Sequence, residues 1–147
     1  MSCTIITGGT GFIGSSLARR LEAERGPGER VVAVSSRTVD LSNWSATAAW
    51  FERACAEHDV RVIFHLAALY KAGGWPTDHP ATQLFANTSI NMNVLEAWKR
   101  FAPAAKLTSV MSYCMYPPHD EPHPESELWG TEPEPRSEEH TSELQSH

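Results

Sequence analysis

Residues 7–14 read TGGTGFIG, and they follow the short apolar stretch at residues 3–6. Glycines at positions 8, 11 and 14 suit a tight turn from a strand into a helix, where a pyrophosphate can approach the backbone. The helix that begins there would offer its free N–H groups to the anion. The first candidate residues for binding a nucleotide cofactor are therefore Thr7, Gly8, Gly9, Thr10, Gly11, Phe12, Ile13 and Gly14.

The glycine motif has two competing interpretations. Glycine also serves ordinary turns, but this motif lies near the N-terminus, between a predicted strand and a predicted helix. Gly9 and Gly14 have the separation found in a P-loop, yet Ser15 stands where a P-loop requires a lysine. The pattern therefore favours a dinucleotide site over a P-loop.

Apolar stretches alternate with helix-like segments along the chain. Strands are predicted at residues 3–6, 31–34, 61–66 and 107–111, and helices from Gly14 to the break at residues 26–28, at 44–57 and at 82–101. Two helical stripes are predicted to be buried: Ile13, Leu17 and Leu21, and then Leu84, Thr88, Asn91, Leu95 and Trp98. This alternation predicts an α/β fold with a Rossmann-type, doubly wound parallel sheet.

The end of the second predicted strand bears on the choice of cofactor. NAD sites place an acid about 20 residues beyond the glycine motif, but this region reads Ser35-Ser36-Arg37. A guanidinium suits a 2′-phosphate, so NADP(H) is favoured over NAD(H), with a solvated surface arginine as the alternative. Asp40, followed by Leu41, would accept from the adenine amino group or serve as a turn or N-cap residue.

The ends of the third and fourth predicted strands supply further candidates. Small residues in Leu66-Ala67-Ala68 would let the backbone lie against the cofactor, although close packing of a helix also favours alanine. Ser112 could donate a hydrogen bond to a substrate carbonyl, and Cys114 could act as an acid/base or be a buried free thiol. No histidine or cysteine spacing indicates a metal site. Asn91 is expected to hold the neighbouring strand in place.

Composition narrows the class of protein. The chain has 147 residues, 41% of them apolar and 20% charged, which suits one globular domain. A formal charge of −6 argues against a nucleic-acid partner, and no apolar run is long enough to span a membrane. Three cysteines without a secretory signal fit reduced thiols in the cytoplasm.

Residues 1–135 resemble the extended short-chain dehydrogenase/reductases of the NAD(P)-dependent sugar-nucleotide epimerase/dehydratase kind. The shared features are the glycine turn, Asp40-Leu41 and His65-Leu66-Ala67-Ala68. Residues 71–74 (KAGG), 112–117 (SYCMYP) and 124–133 (PESELWGTEP) resemble the GDP-L-fucose synthase group of that family. The stretch with Trp75 departs from that pattern, so a sister epimerase with another sugar is the alternative.

The resemblance implies a nucleotide-sugar substrate, 3,5-epimerisation of a 4-keto sugar and reduction of its ketone by NADPH. It implies that Ser112 binds the 4-keto oxygen, that Cys114 is an acid/base in epimerisation, and that full-length relatives are homodimers.

The family continues into Tyr-x-x-x-Lys, whose tyrosine is the proton donor, and no such pair occurs in these 147 residues. Residues 136–147 are polar and resemble translated sequencing-adapter sequence, so we expect a disordered, non-native tail after a dinucleotide-binding domain at residues 1–135. The chain is then expected to be a C-terminally truncated and inactive fragment. The alternative is a non-catalytic dinucleotide-binding module.

Overall fold

The computed structural model describes residues 1–71, 74–110, 116 and 122–128. The chain divides into two compact units, residues 1–69 with 86–110 and residues 70–85 with 111–147. The predicted site residues Ser112 and Cys114 and the predicted tail at 136–147 lie outside the described residues. No helix in the described part is long and apolar enough to cross a membrane.

Four parallel strands form the sheet of the first unit: β1 (Ser2–Thr7), β2 (Glu29–Val34), β3 (Asp59–His65) and β4 (Lys106–Ser109). Their spatial order is β2-β1-β3-β4, so the chain moves to one side of β1 and then crosses to the other. In this register Ile5 lies opposite Val32 on one neighbour and Ile63 on the other. The order confirms the predicted Rossmann-type class and places the topological switch point between β1 and β3.

Helices connect the strands. They are α1 (Phe12–Glu24), α2 (Trp44–Glu57), the four-residue α3 (Trp75–Asp78) and α4 (Pro80–Phe101). Helix α2 begins after Asn43, whose Oδ1 accepts a hydrogen bond from the Ala46 N–H at 3.0 Å. Helix α1 begins after Gly11, which provides no side-chain cap.

The main core of the first unit lies between the sheet and helices α2 and α4. Its fully buried members include Ile5, Ile63, Phe51, Val94 and Ala97. On the other face of the sheet, α1 packs against β1 and β2. Both faces of β1 are therefore covered, as a buried parallel strand requires.

The predicted stripe on α4 is wrong in part. Leu84 and Leu95 are 36% and 40% exposed, whereas Val94 and Ala97 are fully buried. Small and β-branched side chains let the helix approach the sheet closely, so the contact face is set by the sheet surface rather than by the largest side chains. On α1, Ile13 is 59% exposed, which also departs from its predicted burial.

In the described residues, the second unit contains α3, the first residues of α4 and a 3₁₀ turn at Glu125–Glu127. Its aromatic residues form small local groups. The Lys71 ammonium lies 4.7 Å from the centroid of the Trp75 ring, which also meets His79 edge to face. Tyr116 and His123 stack with their centroids 4.9 Å apart.

The turn after β1 depends on the missing side chain of Gly8. This residue has a φ of 70°, in the left-handed region that glycine tolerates best. A Cβ at this position would lie 2.8 Å from both the Ala67 nitrogen and the Leu66 carbonyl carbon. The turn therefore touches the backbone that leaves β3, and no side chain other than hydrogen fits between them.

Two alanine substitutions separate backbone strain from this close approach. Gly28 also has a positive φ, of 86°, but a Cβ there would meet nothing within 4 Å. We expect Gly28→Ala to lower the free energy of unfolding by about 1–2 kcal/mol through strain alone. Gly8→Ala should lower the free energy of unfolding by roughly 1–3 kcal/mol more than Gly28→Ala does, because the backbone must also move. Urea unfolding measures both, and equal losses would contradict the close-contact explanation.

Candidate functional site

A cleft of about 430 Å³ opens at the carboxyl ends of β1, β2 and β3. This end of an open α/β sheet, at the switch point, is where such folds bind ligands. Many of the predicted site residues line it: Gly8, Thr10, Gly11, Asp40, Leu41, Leu66, Ala67 and Ala68. The other lining residues were not predicted from the sequence as site residues. They are Ser35, Ser36, Val39, Ser42, Leu69, Ala86 and Ile90.

The other predicted residues of the glycine motif shape the turn or lie outside the cleft. A Cβ on Gly9 would lie 2.7 Å from the Ala33 Cα, and a Cβ on Gly14 would lie 2.8 Å from the Gly9 Cα. These two glycines therefore let the turn and α1 pack closely. The Phe12 side chain is 96% exposed, and Thr7 is fully buried.

The N-terminus of α1 has the features of an anion-binding site. Among the described residues, no partner accepts the N–H groups of Phe12, Ile13 and Gly14, and the first bond that reaches back is from Ser15 N–H to the Gly11 carbonyl at 2.9 Å. The first turn carries no acidic residue that would repel an anion. Free donors and the helix dipole together favour a phosphate at this position.

Arg37 lies at the tip of the turn after β2. The Ser35 carbonyl accepts from the N–H groups of Thr38 and Val39, at 2.9 and 3.1 Å, which closes the turn. The Arg37 side chain is exposed and does not line the cleft, but its neighbour Ser36 does. No carboxylate of the described residues pairs with its guanidinium. Among the described residues, the Arg37 guanidinium is therefore available to an incoming anion.

Asp40 is a turn residue that also faces the cleft. Its Oδ1 accepts from the Ser42 N–H at 3.0 Å and from the Ser42 hydroxyl at 2.6 Å. The N-cap of α2 is Asn43 instead. Of the roles weighed from the sequence, the N-cap is excluded, the turn is observed, and the contact with adenine stays a prediction.

A second cavity, of about 340 Å³, adjoins the same backbone segment. It is bounded by Ile13, His65, Asn87 and Asn91, and by Ser109 and Val110 after β4. Leu66, Ala67 and Ala68 line both spaces. The segment after β3 thus has a cavity on either side, and the fourth strand ends beside one of them.

His65 connects β1, β3 and α4 through a buried chain of hydrogen bonds. Its Nε2 lies 2.9 Å from the Asn91 Oδ1, which can only accept, so Nε2 carries the proton. Its Nδ1 then accepts from the Thr7 hydroxyl at 2.6 Å. The Thr7 oxygen accepts in turn from the Ala67 N–H at 3.4 Å. Asn91 holds the neighbouring strand, as predicted.

Burial lowers the pKa of His65 below its ordinary value of 6.5, although the hydrogen bond with Asn91 acts in the opposite direction. The imidazole is 4% exposed, and both nitrogens are used in the neutral form. Protonation would place a hydrogen on Nδ1, which could then no longer accept the hydrogen bond from the Thr7 hydroxyl. Within the described residues, no group of three His, Cys, Asp or Glu side chains could hold a metal ion.

Stability should therefore fall on mild acidification. The pKa of His65 is lower in the folded chain than in the unfolded one, so the unfolded state takes up the proton first. The stabilisation is fully present above pH 6.5 and is lost as the pH falls from there towards the folded pKa. His65→Asn should be less stable than the wild type at pH 7.5 but less sensitive to acidification. Melting temperatures at several pH values test this, and parallel curves for the two chains would contradict it.

Comparison with known proteins places this geometry in a family. Residues 4–141 match the NAD dependent epimerase/dehydratase family. A probable GDP-L-fucose synthase of Drosophila melanogaster is 30% identical over 117 residues, which are 80% of this chain and 35% of that protein. The chain thus spans about a third of the length of this curated relative.

Solved structures show the same fold. A GDP-L-fucose synthetase from Naegleria fowleri matches with a TM-score of 0.71 and 25% identity, over 90% of this chain and 37% of that one. The NADP-bound GDP-mannoheptose C4 reductase of Campylobacter jejuni matches with a TM-score of 0.76 and 24% identity, over 96% of this chain and 40% of that one.

The glycine turn after β1, the cleft at the switch point and the match over residues 4–141 agree with one another. The chain belongs to the NAD dependent epimerase/dehydratase family.

Proposed function

We propose that the first unit binds NADP(H), and that the chain is the dinucleotide-binding part of an epimerase/reductase acting on a nucleotide-sugar. The proposed reaction is like that of GDP-L-fucose synthase, namely 3,5-epimerisation of a 4-keto sugar and reduction of its ketone. The observation that carries the proposal is the cleft where the glycine turn and the free end of α1 face the backbone after β3.

The two cavities suit the two halves of a dinucleotide. The unpartnered N–H groups at the start of α1 would hold the pyrophosphate, and the larger cleft, beside Asp40 and Leu41, would take the adenosine half. The second cavity, beside Ser109 and Val110, would take the nicotinamide half. Small side chains at Ala67 and Ala68 leave room on both sides.

Arg37 supports the preference for NADP(H). It adjoins the adenosine side of the cleft, is exposed and gives up no ion pair with a described residue on binding a 2′-phosphate. The segment Ser35-Ser36-Arg37 offers no carboxylate to a ribose 2′-hydroxyl. A Naegleria fowleri GDP-L-fucose synthetase has been solved with NADP, with a TM-score of 0.69 to this chain.

Ser112 and Cys114 are the proposed catalytic residues. In sequence they follow Ser109, the last residue of β4, and Ser109 itself lines the second cavity. Ser112 would donate a hydrogen bond to the 4-keto oxygen, which stabilises negative charge that develops there when the adjacent proton leaves. Cys114 would take and return that proton. NADPH, when bound, would supply the hydride.

Cofactor affinity tests the proposal directly. We expect the chain to bind NADPH weakly, but more tightly than NADH, as measured by fluorescence titration. Arg37→Ala should weaken NADPH binding by about tenfold and leave NADH binding unchanged, because only NADPH carries the 2′-phosphate. The matched control is Arg30→Ala, which removes the same charge from the amino end of β2. Tighter binding of NADH, or equal losses in the two variants, would reject the assignment.

Turnover should be absent from these 147 residues, because they contain no Tyr-x-x-x-Lys pair to donate the proton. We expect no NADPH oxidation when a GDP-linked 4-keto sugar is added, even where NADPH binds. Substrate-dependent oxidation would refute that expectation.

Activity should then be assayed on the whole protein, which we propose acts on a nucleotide-sugar as a homodimer. We propose that residues 1–135 form the binding domain and that residues 136–147 add nothing to it. Tight NADPH binding by a monodisperse 147-residue chain would favour a non-catalytic dinucleotide-binding module instead.

A further inference from the structure

Two asparagines of α4, Asn87 and Asn93, bond the backbone that forms the walls of the first cleft, and a third, Asn91, reaches it through His65. None of the three lines that cleft, whereas Asn87 and Asn91 line the second cavity. Asn87 bonds the segment after β3 through both its amide oxygen and its amide nitrogen. Its Oδ1 accepts from the Leu69 N–H at 2.6 Å, and its Nδ2 donates to the Leu69 carbonyl at 3.2 Å. Leu69 lines the cleft and lies beyond the end of β3, and no described strand residue bonds its backbone.

Asn93 holds the opposite wall. Its Nδ2 donates to the Leu41 carbonyl at 2.9 Å, across 52 residues of sequence. The Thr47 hydroxyl lies 3.3 Å from the same carbonyl, so α2 and α4 fix Leu41 together. Leu41 follows Asp40 in the turn that faces the proposed adenosine half.

Asn91 acts at a distance through the buried chain already described. It orients His65, which orients Thr7, whose oxygen accepts the Ala67 N–H. Ala67 is the residue whose nitrogen lies against Gly8, so this chain ends where the glycine turn touches the backbone after β3. Donor and acceptor roles are opposite in the two neighbouring asparagines: Asn91 accepts, whereas Asn93 donates.

We propose that Asn87, Asn91 and Asn93 are positioning residues for the cofactor, and that they set its affinity by fixing Leu69, Ala67 and Leu41. The inference rests on the proposed function. Its physical basis is that Leu41 and Leu69 lie beyond the hydrogen bonds of the sheet, and a rigid helix supplies partners for their backbone.

A charge substitution tests the contact with Leu41. Asn93→Asp replaces the donor with a carboxylate oxygen that repels the Leu41 carbonyl, so we expect NADPH affinity to fall by about tenfold. The matched control is Met92→Asp, which adds the same charge to an exposed position of α4 and should leave NADPH affinity within about threefold. Equal losses in the two would overturn the proposal, since charge alone would then account for them.

Asn87→Ala separates positioning from general stability. Amide hydrogen exchange at Leu69 in the ligand-free chain should speed up by about tenfold, and NADPH affinity should fall by a similar factor. The control is Val94→Ala, which opens a cavity in the core on the same helix. This control should lower the melting temperature without changing NADPH affinity once the chain is folded.

The remaining outcomes are decisive. Unchanged NADPH affinity in folded Asn87→Ala, with faster exchange at Leu69, would show that the segment is held but that the cofactor does not depend on it, and the proposal would fail. Weaker affinity without faster exchange would also overturn it, because Leu69 would not be the link. A wild-type chain that does not bind NADPH would instead refute the proposed function itself.

Discussion

The contact between the Gly8 backbone and the backbone of Leu66 and Ala67 fixes the spacing of the site. Around it, the sheet continues its hydrogen bonding beyond the strands. The Leu66 N–H donates to the Thr7 carbonyl at 3.1 Å, and the Gly9 N–H donates to the Val34 carbonyl at 2.9 Å. The turn is thereby bonded to both neighbouring strands. The direction of α1, the position of its free N–H groups and the width of the cleft all follow from this packing.

A polar chain lies at the same end of a mostly apolar core. Burying an imidazole and a hydroxyl is unfavourable unless each polar atom finds a partner, and here both nitrogens of His65 do. The arrangement is directional, since reversing one donor would leave another group unpaired. It joins the central strand, its neighbour and α4 in one geometry, which apolar packing alone would specify less tightly.

The parts of the fold that depend on local pattern could be predicted from the sequence. Helix α2 has the bounds predicted for it, 44–57, and the strand centres are right because apolar runs and breaks determine them. The buried face of α4 and the roles of Asn87 and Asn93 could not be predicted, because they depend on which distant backbone meets the helix. Arg37 is a similar case, since Ser36 and Val39 line the cleft while the Arg37 side chain does not.

The strand order also has a consequence for how the chain folds. β1 first meets β2, a neighbour in sequence, but the cleft exists only after β1 has paired with β3, where Thr7 and His65 are 58 residues apart. Closing that loop costs entropy before its contacts form, so the step belongs to the slower, non-local part of folding. A ligand that binds only this closed arrangement stabilises it by mass action, by about 2.7 kcal/mol at a concentration of 100 times its Kd. Under the proposed function, the supply of the dinucleotide would therefore also determine how much of this domain is folded.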